Sequence, residues 1–164
     1  MKFIHTLLVL LITVSLNAHS KETSKEQKII ADNFNKQVMC MAKNIYYESA
    51  TESYEGKLAV AQVTMNRANT GGTFPTDVCS VVYQKTGTTC QFSWTCSKDL
   101  VGIRDHYAWE ECLMIAKRAM TQGVLHMELA KSKALFYHAA YIQPGWNNIR
   151  VVRRIGNHIF YRRA

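Results

Sequence analysis

Glu48, Glu52 and Glu55 fall within eight positions, just ahead of an apolar run with helical spacing, in a chain that carries a formal net charge of +8. A carboxylic acid at a helix end, beside Tyr46 and Tyr47 and within reach of a cleft, loses solvation. Its pKa rises and it keeps its proton near neutral pH. Such a group can protonate a glycosidic oxygen as the bond to it breaks. The same three acids also suit a solvated helix face with capping charges, and spacing alone does not separate the two readings.

Other residue types add less. His138 and His158 stand in the aromatic segments FYH and NHIFY, either as bases or as hydrogen-bonded histidines of a small sheet. No Gly-x-Ser-x-Gly accompanies them, so nothing supports a nucleophilic triad. Tyr46, Tyr47, Phe92, Trp94, Tyr137, Tyr141 and Trp146 exceed what turns and loops need, and flat aromatic faces can stack on sugars as well as fill a core. Cys40, Cys79, Cys90, Cys96 and Cys112 include no Cys-x-x-Cys spacing, and the chain has no His-Glu-x-x-His. Disulfides are therefore favoured over a zinc site, and no metal or cofactor is expected. Cys90 and Cys96 flank a short loop and form the favoured pair. Cys112, on a helical pattern, reads as a buried free thiol.

The elements that must hold these residues follow from periodicity. Ile29, Phe34, Val38, Met41, Ala42 and Ile45 recur at helical spacing and predict a helix over about 28–47, ending at Glu48, with a mobile segment over 21–35 leading into it. Ser53 is an N-cap candidate for a second helix, with Glu55 in its first turn and Ala59, Val60, Val63 and Arg67 on one face. The turn cluster NTGGTFP ends it. Residues 76–84 read as a short helix or turn, and 85–100 as an irregular loop. From Asp105 a third helix is signalled by Trp109, Cys112, Leu113, Ala116 and Met120, with Glu110 and Glu111 assigned to its first turn and Gly123 as its stop. Residues 134–137 read as a strand. Two further strands flank Gly156-Asn157 at hairpin spacing. Helices first and a small sheet last predict an α+β domain over 36–164.

Composition bounds the partners. With 48% hydrophobic and 20% charged residues and two prolines, the chain describes one globular domain. A pI near 9.3 favours anionic partners. No nucleic-acid motif or arginine-rich tail is present, so nucleic acid is not expected. Lys2 ahead of the apolar run 7–16, then Ala18-His19-Ser20, reads as a signal peptide over 1–20; an uncleaved anchor is the alternative, although the run is shorter than the roughly twenty residues a span requires. A secreted, periplasmic or wall-located monomer without a lasting membrane anchor is expected.

Five ordered blocks carry a resemblance: IYYESATESYEGKLAVAQVTMNR, FPTDVCSVVYQ, CQFSW, ALFYHAAYIQPGW and IGNHIFYR. Across about 39–162 the chain resembles cell-wall hydrolases of the spore cortex-lytic, SleB-like type. The resemblance implies a compact domain like those of lysozyme and lytic transglycosylases, acting on peptidoglycan glycan strands between N-acetylmuramic acid and N-acetylglucosamine. It assigns the general acid to Glu48. Glu52, Glu55, Asn66 and Arg67 become cleft or supporting positions, and Gln91, Phe92, Ser93, Tyr137, His138 and His158 further signature residues. Glu52, Asp77 and Asp99 are candidates for a second carboxylate. Where the family usually has alanine, arginine and glycine between its two glutamates, this chain has Ser49-Ala50-Thr51, which removes a positive charge and a glycine. The alternative on the same fold is a noncatalytic peptidoglycan-binding protein. Bacterial wall remodelling and phage lysis both suit such a chain.

Overall fold

The computed structural model describes residues 2–100 and 102–164, with side chains from Glu22 onward. The chain divides into a unit ending at Asn35 and a second unit, Lys36–Ala164, that holds every site residue. The first helix, α1 (Lys2–Ser49), starts far earlier than periodicity suggests. The segment read as mobile continues as helix, because no glycine or proline interrupts the chain before Ser49. Its side chains over 22–35 are exposed. The side chains of residues 1–20, read above as a signal peptide, lie outside the described residues. Among the described residues no helix is long and apolar enough to cross a membrane.

In the second unit, α2 (Tyr54–Thr70) is the central element. Ser53 caps it, its side chain accepting from the Gly56 N–H, and Gly71 ends it at a φ of 65°. The predicted cap and the NTGGTFP stop both hold. Ala59 and Val63 pack on Leu129, Ala134, Ile155 and Phe160, while Ala61 and Ala68 pack with Met41, Ile45, Val81, Cys112 and Ile115. A helix buried on both sides must satisfy its polar groups internally. The Gln62 carbonyl oxygen accepts from the Leu125 and His126 N–H groups, and its amide donates to Asn66. Thr64 accepts from Asn44, which in turn accepts from the Trp94 indole.

The connections are short. Asp77 caps α3 (Val78–Val82), and Cys79 within it is joined by a disulfide to Cys40 of α1. The region read as an irregular loop contains a two-stranded hairpin, β1 (Lys85–Thr86) and β2 (Thr89–Cys90), and a 3-10 turn, Ser93–Cys96. The expected Cys90–Cys96 bridge closes it, and Cys112 is the buried free thiol. Asp105 caps α4 (His106–Gln122), so Glu110 and Glu111 lie in the second turn rather than the first. A further short helix, α5 (Met127–Lys131), has no periodic signal at its length.

The sheet comes last, in the order β3-β5-β4 and antiparallel throughout. Strand β3 (Phe136–Ala139) begins two residues later than expected, because Ala134 and Leu135 fill the core ahead of it. Strands β4 (Ile149–Ile155) and β5 (His158–Arg163) flank Gly156-Asn157 as predicted, with a bulge between Val151 and Arg153. The result is the expected α+β fold.

Candidate active site

Four parts of the chain bring chemistry to one cleft of about 350 Å³: the end of α1, Arg67 of α2, residues 91–93, and strands β3 and β5 with the turn after β3. Glu48, Arg67, Gln91, Phe92, Ser93, Tyr137, His138 and His158 all line it, together with Tyr47, Tyr141 and Ile142. The placement follows from the elements. Glu48 occupies the last turn of α1, on the stripe that buries Ile45 and Met41 three and seven residues earlier, so the core-facing side of the helix carries it to the cleft. Strand alternation sends Tyr137 and His158 to the face that also carries Phe160.

Glu48 is half-buried and its Oε2 accepts a hydrogen bond of 2.9 Å from the Tyr137 hydroxyl. Burial pushes the carboxyl above its ordinary pKa, against the Tyr137 hydrogen bond and the Arg67 charge, which pull it down. Burial likewise raises the Tyr137 phenol, helped by the Glu48 charge. The Tyr137 hydroxyl thus engages one oxygen of the carboxyl, Oε2.

Arg67 is nearly buried, donates through Nε to the Leu135 carbonyl at 2.8 Å, and lies with its guanidinium carbon 5.0 Å from the Phe92 ring centre and 5.3 Å from that of Phe74. Stacking between two rings fixes the plane of the cation. Arg67 thus supplies a positive charge beside Glu48. Ser49 turns inward and donates to the Ile45 carbonyl. Among the described residues only Lys133 and Asn148 are non-glycines at positive φ, so the Thr51 backbone does not demand a glycine.

The histidines differ. His138 Nδ1 lies 2.8 Å from the Ala139 carbonyl and must carry the proton to donate there; Nε2 then accepts from the Tyr161 hydroxyl at 2.6 Å. His158 is buried, its Nδ1 has no hydrogen-bond partner among the described residues, and burial lowers its pKa against the opposing charge of Glu52.

Three sequence candidates stand away from the cleft lining. Asn66 is buried and donates to the Leu129 and Ala134 carbonyls, which fixes α2 to the chain entering β3. Glu55 lies on the surface, paired with His126 and Arg153. Glu52 accepts from Asn157. Of the other carboxylates considered, Asp77 is committed to capping α3, and the Ser80 hydrogen bonds hold its pKa down. Asp99 lines a neighbouring cleft of about 630 Å³ that shares Tyr47 and Ser93 with the first. Sequence reasoning did not single out Ile142, which carries no chemical signal.

Residues 51–161, more than half of the chain, match the cell wall hydrolase family. The chain belongs to that family. The match begins just after Glu48. This cell wall hydrolase is 27% identical over 124 residues to the spore cortex-lytic enzymes of Oceanobacillus iheyensis and Halalkalibacterium halodurans. Each alignment takes in 75% of the chain but only 40% and 34% of those two relatives. In three dimensions the hydrolase is similar to the crystal structure of the catalytic domain of the Bacillus cereus SleB protein. The TM-score is 0.54 at 25% identity, covering 78% of this chain and 91% of that one.

Proposed function

We propose that this protein cleaves peptidoglycan glycan strands between N-acetylmuramic acid and N-acetylglucosamine, with Glu48 as the single general acid. The observation that carries the proposal is the half-buried Glu48 carboxyl, held by Tyr137 and faced by Arg67 in a cleft whose lining holds no second carboxylate among the described residues. Glu48 gives its proton to the glycosidic oxygen as the C1–O bond breaks and positive charge spreads over the sugar ring. The carboxylate left behind is stabilised by the Tyr137 hydroxyl and the Arg67 cation.

The lone carboxylate favours an intramolecular finish. Glu48 takes the proton of the muramoyl C6 hydroxyl while that oxygen bonds to C1, giving a 1,6-anhydro end with no water consumed. Hydrolysis would need a positioned water, and the carboxylates of Glu52 and Asp77 are occupied elsewhere. In this reading the enzyme works as a monomer outside the cytoplasm, its leader removed near Ser20.

Mass spectrometry of digested sacculi tests the reaction, because anhydro and reducing ends differ by one water. Anhydro products are expected. Glu48→Gln keeps the shape but has no carboxylic proton, so lysis should fall by at least about a thousandfold while sedimentation with sacculi persists. Undiminished lysis by Glu48→Gln would remove Glu48 from the role. Binding without lysis by the unsubstituted protein would favour the noncatalytic alternative.

A further inference from the structure

Glu52 lies one helical turn beyond Glu48 in sequence, yet its carboxylate faces the β4–β5 turn. Oε2 accepts from the Asn157 N–H at 3.2 Å and Oε1 from the Asn157 side-chain amide at 3.0 Å. Two glycines make room for this contact. A Cβ on Gly156, whose φ is 54°, would collide with Glu52 Oε2, and one on Gly56 would stand 2.9 Å from the Glu52 Cβ. The turn is therefore seated on one side chain, and the next residue along it is His158.

His158 is 8% exposed and lines the cleft. Its ring meets that of Tyr137 edge-on, with centroids 5.1 Å apart, and Tyr137 holds Glu48. We propose that Glu52 is a positioning residue, a latch that fixes the Gly156-Asn157 turn and thereby holds His158 against Tyr137, the residue that hydrogen-bonds the Glu48 carboxyl. The proposal builds on the reading of Glu48 as the acid. It removes Glu52 from the candidates for a second catalytic carboxylate, since neither of its oxygens faces the reacting centre unoccupied. Its charge adds a secondary effect, opposing the loss of basicity that burial imposes on His158.

A double-mutant cycle separates a latch from a catalyst. Glu52→Gln, Asn157→Ala and the double variant are assayed on purified sacculi for kcat and KM, and compared by thermal unfolding and by the NMR resonances of the His158 ring. A latch broken from either side gives the same loss. Each single variant should lower kcat about tenfold with KM changed less than about twofold, and the double should be no worse than about twofold below the weaker single. Glu52→Asp, charged but too short to reach the turn, should behave like Glu52→Gln.

Losses that multiply to about a hundredfold in the double variant would overturn the latch. So would a normal Asn157→Ala beside a severely impaired Glu52→Gln, the signature of a direct catalytic carboxylate, and so would full activity in Glu52→Asp. The His158 resonances should shift alike in Glu52→Gln and Asn157→Ala, and an unchanged spectrum in both would overturn the proposal without any turnover being measured. That readout stands apart from Glu48. Lysis persisting in Glu48→Gln would sink the catalytic reading and leave the latch to be decided by the spectra.

Discussion

At Glu48 a single side chain joins three effects that its neighbours supply: partial burial, one hydrogen bond and one nearby cation. Burial dominates and raises the pKa; the Tyr137 hydroxyl and Arg67 stabilise the charged form and lower it. A general acid works when protonated, so activity should decline as pH rises through the Glu48 pKa. Tyr137→Phe removes a donor to the carboxylate. The Glu48 pKa then rises further and the descending limb of the pH–kcat profile moves to higher pH. The plateau below it should fall about tenfold, because the oxygen that carries the proton is no longer fixed. Measured kcat across pH checks both effects, and a limb at its original pH would show that Tyr137 does not bear on the acid. Only part of this was legible in the residues. Three clustered acids in a basic chain drew attention to the region, but Glu55 turned out to be a solvated ion-pairing residue and Glu52 a turn contact. The bland reading thus held for one of the three.

Among the elements, α2 sets the geometry, because it separates two packed layers and carries Arg67 to the cleft. The end of α1, which carries Glu48, is tied to α3 by the Cys40–Cys79 disulfide. That bridge joins residues 39 apart, and cross-linking a loop of this length restricts the unfolded chain by about 4 kcal/mol in the entropic model. Replacing both cysteines by serine should lower the unfolding temperature by roughly 10 °C or more, measured calorimetrically, whereas the corresponding change at Cys90–Cys96, six residues apart, should cost less. The shorter pairing was readable from spacing. The longer one was not, because nothing in the sequence says that the end of α1 meets the start of α3. A helix start is set locally instead: Asp105 accepts from the Ala108 N–H, so α4 begins at His106 and Glu110 and Glu111 fall in its second turn.

Charge belongs to the whole molecule. No acidic residue follows Glu128, while Lys131, Lys133, Arg150, Arg153, Arg154, Arg162 and Arg163 do, so the C-terminal sheet concentrates the positive charge. Arg153 is paired with Glu55 and Glu128, and Arg150 and Arg154 are exposed on β4, at the sheet edge. An anionic wall would attract this face over distances that salt shortens, from roughly 10 Å at 0.1 M to about 3 Å at 1 M. Turbidity loss of purified sacculi should therefore slow severalfold as ionic strength rises across that range. An unchanged rate would mean that the positive charge does not deliver the enzyme to its substrate.

Local signals determined much by themselves. Ser53, Asp105 and Gly123 mark helix ends because capping is settled within a few residues, and Gly156-Asn157 marks a hairpin because only certain residues fit a two-residue turn. The ordered blocks from Ile45 to Arg162 carried the family. The tertiary structure alone decided which carboxylate occupies the cleft and what surrounds it. Tyr137 reaches Glu48 across 89 positions, and Asn157 reaches Glu52 across 105. Burial and the contacts that shift a pKa arise only when distant segments pack, so the same Glu-x-x-x-Glu spacing yields a half-buried carboxyl in the cleft at one position and a turn clasp at the other.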